Sequence, residues 1–349
     1  MMEPNEVKTQ RGCGAGRRLS RRAVLAGVLT GGALGTAGLV LQRLYRETED
    51  EAETFIAKAS SYDADLTALI WAGMRELGIG PEQIRGKRIL LKPNLLETAE
   101  GAAHIHTHPH VIRAAVEAML QLGAAHVIVG EGSAHYREIA RIADETGLAE
   151  LLAEDNVPIV DLNCDDLVVR ANAGGRTSLK TLTFPAVIEK VDWVVSMPKM
   201  KTHHWAGVTL SMKNMFGLMP GIAYGWPKNA FHCVGIHESI LDINATFPAH
   251  LAIVDGIVGM EGDGPLAGPP KHAGILVMGR NLPAVDATAA RAMGVDPLRV
   301  PYLKAASGWL GTIREQNITQ RGETLASVQT QFRLLDKIPA HRGLRLKAV

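Results

Sequence analysis

Short apolar strands alternate with amphipathic helices in the first half of this chain, at the spacing of strand–helix–strand units. Strands are predicted at residues 88–91 and 126–129, and helices at residues 62–77, 109–123 and 136–146. Such units set their strands in parallel and cover both faces of the sheet with helices. The sequence therefore predicts an α/β fold with a mostly parallel sheet and helices on both faces.

The second half continues this pattern as far as about residue 301. Its predicted elements are strands at residues 159–161, 165–170, 193–196, 251–254 and 274–278, and helices at residues 234–244 and 283–293. Residues 203–231 hold no long periodic element and are rich in Gly, Met, Pro and Trp, which is typical of a functional loop region. The predicted domains are residues 1–50, an export signal or membrane anchor with a linker; residues 51–320, the α/β domain; and residues 321–349, a C-terminal extension.

The start of the chain predicts export. Residues 20–25, SRRAVL, match the twin-arginine pattern, and an uncharged apolar run with five glycines occupies residues 23–41. This layout is recognised by the twin-arginine (Tat) translocase, which makes that complex an expected partner and the periplasmic side the expected location. No Ala-x-Ala site precedes Arg43. Since the run approaches the ~20 residues of a membrane span, an anchor with membrane contact through residues 23–41 is expected alongside the released form.

Charge and cysteine content exclude other classes. The formal net charge is +1, so nucleic acid is not an expected partner. Cys164 and Cys233 are the only cysteines outside the signal, and whether they pair is left open. There is no Cys-x-x-Cys sequence, so no iron–sulfur cluster is expected on this chain.

Ligands of an open parallel sheet lie beyond the carboxyl ends of its strands. Lysines beside Pro, Gly or apolar neighbours follow these predicted strand ends, which favours an anion site. Thr107 is predicted to cap the helix that holds Pro109, and a helix N-terminus also attracts anions. The residues predicted to bind a small anionic ligand are Lys92, Asn94, Thr107, Lys199, Lys213 and Asn214.

Histidines and carboxylates in the same region suggest proton transfer or metal binding. The residues predicted to act in catalysis are Lys201, His203 and Asp255, with Asp255 orienting a histidine. The residues considered as ligands of a transition metal are His108, His232 and Asp263. No diagnostic ligand spacing is present, and scattered histidines more often cap helices or lie on the surface, so the cofactor stays unknown.

Several segments resemble the domain-of-unknown-function 362 family. They are LKPNL at residues 91–95, THP at 107–109, PKMKTH at 198–203, VTLSMKNMFG at 208–217, and VDG at 254–256 through GP at 264–265. The resemblance runs in order from about residue 85 to about residue 310. It implies an α/β fold. Some members carry a ferredoxin-type cluster domain, for which this chain lacks the cysteines. A more remote similarity to lactate racemases built around a nickel-pincer cofactor is an analogy only.

Three functions follow as hypotheses. The leading one is an exported enzyme that binds a small anionic substrate in a cleft lined by Lys and His, with proton-transfer or redox chemistry. The first alternative is a non-catalytic protein that binds a metal or cofactor. The second is a partner-binding module at the membrane, with residues 203–231 as its contact surface.

Overall fold

The computed structural model describes residues 51–96, 103–134 and 138–347. Within them, the strands are β1 (Ala52–Lys58), β2 (Arg88–Pro93), β3 (His126–Glu131), β4 (Ile159–Asp161), β5 (Leu167–Ala171), β6 (Thr181–Pro185), β7 (Trp193–Met197), β8 (Lys199–His203), β9 (Gly207–Thr209), β10 (Leu251–Met260), β11 (Pro270–Gly279) and β12 (Ile318–Gly322).

The α-helices are α1 (Leu66–Glu76), α2 (Pro81–Ile84), α3 (Pro109–Gln121), α4 (Ile139–Glu145), α5 (Leu148–Glu154), α6 (Ser211–Asn214), α7 (Gly221–Tyr224), α8 (Asn229–Cys233), α9 (Ile236–Thr246), α10 (Leu282–Ala292), α11 (Pro301–Ala306) and α12 (Leu325–Val328). Single turns of 3-10 helix cover Ala103–Ile105, Ala186–Glu189, Met215–Leu218, Pro297–Arg299, Glu315–Asn317 and Pro339–His341.

One large sheet organises these elements, in the order β12–β1–β11–β10–β7–β2–β3–β4, with β8 and β9 attached to β10. β10, β7, β2, β3 and β4 are parallel neighbours, and β11 runs antiparallel to both β10 and β1. Alternate residues of the parallel strands enter different cores: Leu90 belongs to one, and Ile89 and Leu91 belong to the other. The predicted mixed α/β fold with a mostly parallel sheet is confirmed.

Three predicted elements differ from the structure. Residues 165–170 are not part of the large sheet, because β5 pairs antiparallel with β6 in a separate two-stranded sheet and exposes alternate side chains. The first helix begins at Leu66 instead of residue 62, because Asp65 caps it by accepting from the Ala68 amide at 2.9 Å. The cap of α3 is His108, whose Nδ1 accepts from the His110 amide, and not Thr107.

Both ends of the described chain enter the sheet and core. β1 was not predicted; it lies between β11 and β12. β12 crosses the predicted boundary at residue 320, and Phe332 and Leu344 beyond it are buried in the core that contains Leu90. The predicted export signal and its membrane contact, residues 1–50, lie outside the described residues. In the described part of the chain, no helix is both long and apolar enough to cross a membrane.

Candidate functional site

Polar side chains collect at the carboxyl ends of the parallel strands. Lys92 lies near the end of β2, Glu131 ends β3, and Lys199 begins β8 just after β7. Asp255 does not end its strand, because β10 continues to Met260, but it is paired with Lys199 in the register of β8 and β10. These groups surround an open cavity and an adjacent closed cluster.

The cavity has a volume of about 420 Å³, within the range of small-molecule sites. Its walls come from the ends of β2, β3 and β8, from α6 and α8, and from the β10–β11 loop. Its lining residues are Asn94, Leu96, Glu131, Gly132, Ala134, His203, His204, Trp205, Thr209, Lys213, Asn214, Phe216, Gly217, Pro227, Lys228, His232, Asp263, Pro265, Leu266 and Ala267. Of the predicted site residues, Asn94, His203, Lys213, Asn214, His232 and Asp263 line it, whereas Lys92, Thr107, His108, Lys199, Lys201 and Asp255 do not.

A buried ion pair joins Glu131, which lines the cavity, to Lys92 behind it. The Lys92 ammonium donates to Glu131 Oε2 at 2.6 Å and to Asn214 Oδ1 at 3.1 Å, and neither charged side chain is exposed by more than 2%. Burial lowers the pKa of Lys92, and the charge of Glu131 opposes that shift. The Asn214 amide in turn donates to the Lys92 carbonyl and to Ser196 Oγ. The negative charge of Glu131 is therefore already compensated before any ligand enters.

Gly217 packs against this pair. A Cβ at Gly217 would clash with Glu131 Oε1 and stand 2.5 Å from the Lys92 Nζ. The Gly217 carbonyl accepts from the Gly132 amide at 3.1 Å. Glycine is therefore required here for the close approach of main chain to the ion pair, and not for an unusual backbone angle.

Lys213, on α6, supplies a positive charge to the cavity. Its ammonium lies 4.1 Å from the centre of the Phe216 ring, and within the described residues no carboxylate pairs with it. Burial, together with the charge of Lys92, lowers the pKa of Lys213 to about 8. α6 is held by the buried carboxylate of Asp286, which accepts from the Ser211 amide at 2.7 Å and the Met212 amide at 3.0 Å.

Two imidazoles of the cavity have their hydrogen-bonding roles fixed by the main chain. His203 Nδ1 accepts from the amides of Trp205 (3.0 Å) and Ala206 (3.2 Å), so a neutral ring carries its proton on Nε2. His232 Nδ1 lies 3.2 Å from the Lys228 carbonyl, which requires the proton on Nδ1 and leaves Nε2 as an acceptor. Burial lowers the pKa of both rings, and the charge of Lys213 adds to this. At Nε2, the neutral His203 ring can therefore donate a hydrogen bond, and the neutral His232 ring can accept a hydrogen bond or a proton.

Lys228 and Asn94 also line the cavity, and they differ in their hydrogen bonding. Lys228, which the sequence analysis did not identify, donates to the Gly132 carbonyl, Asn163 Oδ1 and the Met219 carbonyl, and burial lowers its pKa to about 7. Asn94 is 6% exposed, and its Oδ1 has no hydrogen-bond partner among the described residues. A buried acceptor without a partner costs free energy, about 1–3 kcal/mol, which a donor on a ligand would recover.

The Asp255 cluster, formed by Tyr62, His108, Lys199 and Asp255, lies beside the cavity. Lys199 donates to Asp255 at 2.6 Å and to the Tyr62 hydroxyl at 2.9 Å, and that hydroxyl donates to Asp255 at 3.1 Å. The His108 amide also donates to Asp255, and its ring stacks on Tyr62 with centroids 3.6 Å apart. Burial lowers the pKa of His108 to about 4, which leaves the ring neutral. Tyr62 was not identified from the sequence.

Lys201 and Thr107 connect loops and do not line the cavity. Lys201 is fully buried, and its ammonium donates to the Ile105 carbonyl at 2.6 Å and to the Pro265 carbonyl at 3.4 Å. Burial lowers its pKa well below the ordinary value, and neighbouring Lys199 adds to the shift. Thr107 donates to the Met197 carbonyl and accepts from the Asn94 amide, so it fixes Asn94 instead of capping a helix.

The three residues considered as metal ligands are divided. His108 belongs to the Asp255 cluster, whereas His232 and Asp263 line the cavity. The nearest carboxylate–imidazole approach there is His204 Nδ1 to Asp263 Oδ1, at 3.8 Å. Across the described ranges, no group of three or more His, Cys, Asp or Glu side chains could hold a metal ion. Cys164 and Cys233 are both free and exposed.

The protein is thus of the mixed α/β class, with a cavity lined by lysine and histidine side chains at the carboxyl ends of its parallel strands. The model described as "Domain of unknown function (DUF362)" matches residues 89–291, more than half of the chain. The chain belongs to this family.

Individual similarities are distant. A thylakoid-associated protein of Synechocystis sp. is 27% identical over 262 residues, which cover 72% of this chain and 77% of that protein. A crystal structure of a Thermotoga maritima protein has a TM-score of 0.36 and 11% identity, with 67% of this chain and 59% of that chain covered. The lactate racemase apoprotein of Thermoanaerobacterium thermosaccharolyticum has a TM-score of 0.37 and 11% identity, with 65% and 55% covered. The matches thus span less than two thirds of either solved chain.

Proposed function

We propose that this protein is an enzyme that binds a small anionic ligand in the cavity and transfers a proton to or from it. One observation carries the proposal: the ammonium of Lys213 faces the cavity without a carboxylate partner among the described residues. The lining carboxylate nearest the sheet, Glu131, is already paired with Lys92. An entering anion could therefore pair with the ammonium of Lys213.

The chemistry of Lys213 supports this. Its pKa is lowered to about 8 because burial disfavours the charge. A bound carboxylate or phosphate would favour the charged form and so raise this pKa again. Ligand binding and protonation of Lys213 are therefore linked, and the lysine orients the anionic group of the ligand.

His232 is the proposed base, and His203 is the proposed hydrogen-bond donor to the ligand. With Nδ1 accepting from the main chain, His203 has an N–H at Nε2, whereas His232 has a lone pair at Nε2. A neutral ring with a free lone pair can take a proton from the ligand, and a neutral N–H donor can stabilise the negative charge that develops there. Lys201 and Asp255, predicted as catalytic, have positioning roles in this proposal because neither lines the cavity.

Anion binding is tested by calorimetry with inorganic phosphate and a panel of small carboxylates. Lys213→Gln should weaken binding about tenfold or more, since a partly buried charged contact is worth roughly 1.5–3 kcal/mol. The matched control is Lys190→Gln, at an exposed lysine before β7 that does not line the cavity. Equal affinities of the original chain and both variants would contradict the proposal.

Proton transfer is tested by the exchange of ligand C–H hydrogens with deuterated water, followed by NMR for each carboxylate that binds. Exchange catalysed by the original chain should be lost in His203→Asn and in His232→Asn while binding persists. Exchange that survives both substitutions would remove the assigned roles.

We also propose that the chain reaches the periplasmic side through the Tat translocase, with residues 23–41 in contact with the membrane. The twin arginines, Arg21 and Arg22, support this, and the Synechocystis relative is named as thylakoid-associated. Residues 1–50 fused to a folded reporter should direct it out of the cytoplasm, and replacing both arginines by lysine should retain it inside. Export of the double-lysine fusion would refute the route.

A further inference from the structure

A second concavity, the basic groove, adjoins the cavity. It has a volume of about 780 Å³ and shares three lining residues with the cavity: His204, Trp205 and His232. Trp205 is 53% exposed, and its indole packs edge-on against both imidazoles, with centroids 4.7 Å and 4.9 Å away. The two concavities are therefore separated only by a partly exposed aromatic border.

The groove is positively charged. Arg299, Lys337 and Arg342 line it, and no aspartate or glutamate is among its described lining residues. Arg299 is paired with Asp296 at 3.3 Å, and Arg342 uses its Nε to donate to the Asp336 carbonyl. In the described chain no carboxylate pairs with Lys337 or Arg342, so these two charges remain available to a ligand.

The remainder of the groove is apolar. Ile338, Pro339 and Leu344 line it, and they follow β12 in the region that the sequence analysis treated as an extension. Apolar wall beside cations suits an amphipathic ligand, whose spacer packs on carbon while its end group meets the charge. The indole of Trp205 offers a flat surface for the same spacer.

We propose that the natural ligand carries two anionic groups, one beside Lys213 in the cavity and one beside Lys337 and Arg342 in the basic groove, joined by an apolar or flat section that crosses Trp205. This inference rests on the proposed function, since it assigns the first anion to the cavity. It adds a substrate class: elongated dianions, in which the second charge selects the molecule and the first is the end that reacts.

The test is calorimetry on the full chain with α,ω-dicarboxylates from succinate to dodecanedioate, each compared with the monocarboxylate of equal length. Beyond a threshold length, the dicarboxylate should bind about fivefold to tenfold tighter, more than the statistical advantage of two identical ends, because two partly exposed cations are engaged. The combined Lys337→Gln and Arg342→Gln variant should lose this gain and keep the affinity for monocarboxylates.

The matched control is the combined Lys87→Gln and Lys190→Gln variant. Both lysines precede parallel strands, β2 and β7, at the amino ends of these strands, whereas the cavity lies at the carboxyl ends, and neither lysine lines either concavity. This variant should keep the gain. If monocarboxylates bind but no dicarboxylate binds tighter, or if the gain persists without Lys337 and Arg342, the inference is wrong and the proposed function stands. If neither series binds the original chain, both are wrong.

Discussion

The Asp255 cluster and the cavity contain the same kinds of side chain in opposite conditions. In the cluster, Lys199 is buried at 2.6 Å from Asp255 and every charge has its partner. In the cavity, Lys213 lines an open volume, and Asn94 Oδ1 has no hydrogen-bond partner in the part of the chain that the structure describes. Buried charged groups that all have partners are typical of a structural cluster. Polar groups without partners around an open volume are typical of a ligand-binding site. We therefore expect the Asp255 cluster to stabilise the fold and the cavity to bind a ligand.

Removing the carboxylate of the cluster should have the largest effect. Asp255→Asn leaves the fully buried Lys199 without a counter-charge, and breaking a buried pair in this way costs about 3–5 kcal/mol. The free energy of unfolding, measured by urea denaturation, should fall by that amount. Asp263→Asn, at a carboxylate that lines the cavity and is 42% exposed, should change it by less than ~0.5 kcal/mol. Similar losses in the two variants would abolish the distinction between the regions.

Removing only the hydroxyl of the cluster should have an intermediate effect. Tyr62→Phe keeps the ring that stacks on His108 but deletes the hydrogen bonds to Asp255 and Lys199. The expected loss of unfolding free energy is about 1–2 kcal/mol, with affinity for small anions unchanged. A change in anion affinity larger than the change in stability would show that the cluster belongs to the binding site.

The pH dependence of anion affinity tests the role of the cavity. Lys213 has a lowered pKa of about 8, so it is charged below that pH and neutral above it. Affinity for a carboxylate, which stays ionised throughout, should be constant below about pH 8 and fall by up to tenfold per pH unit above it. Lys213→Gln should flatten the calorimetric profile. A step that persists in this variant would belong to another group, such as Lys228, whose pKa is about 7.

The smallest effect is expected when Lys213 is replaced and the free energy of unfolding is measured. Lys213→Met keeps an unbranched side chain and removes an ammonium that lies 4.1 Å from the centre of the Phe216 ring and whose pKa is already lowered. The unfolding free energy should change by no more than ~0.5 kcal/mol, in contrast to Asp255→Asn. A loss above ~2 kcal/mol in thermal and urea unfolding would mean that Lys213 has a structural role.

The sequence was sufficient for the central strands of the sheet, β2, β3, β4, β7 and β10, but not for β1, β8, β9 and β12. The strand-end rule singled out Lys92 and Lys199, and apolar neighbours singled out Lys213. Neither signal separates Lys199 from Lys213, because only the register of β8 beside β10 places Lys199 against Asp255. Strand β5 was misassigned because five alternating residues do not specify which sheet they join.

Residues in irregular chain were missed for a different reason. Lys228 lies in a turn with φ of 65°, and its three oxygen partners come from separate loops, so no local pattern marks it. Tyr62 precedes α1 and was absorbed into the helix prediction, although its hydroxyl contacts Asp255 far along the chain. Contacts of this kind depend on tertiary structure, which sequence periodicity does not encode.

The close packing of Gly217 on the Lys92–Glu131 pair limits which substitutions these three positions can accept during evolution. A Cβ at position 217 would clash with both charged side chains where they now lie. We therefore expect substitutions at these three positions to depend on one another. A side chain at position 217 would require both Glu131 Oε1 and the end of the Lys92 side chain to move, and replacing one of these two residues by a neutral one leaves the other charge uncompensated. Wherever Lys and Glu occupy the first two positions in related chains, glycine should occupy the third.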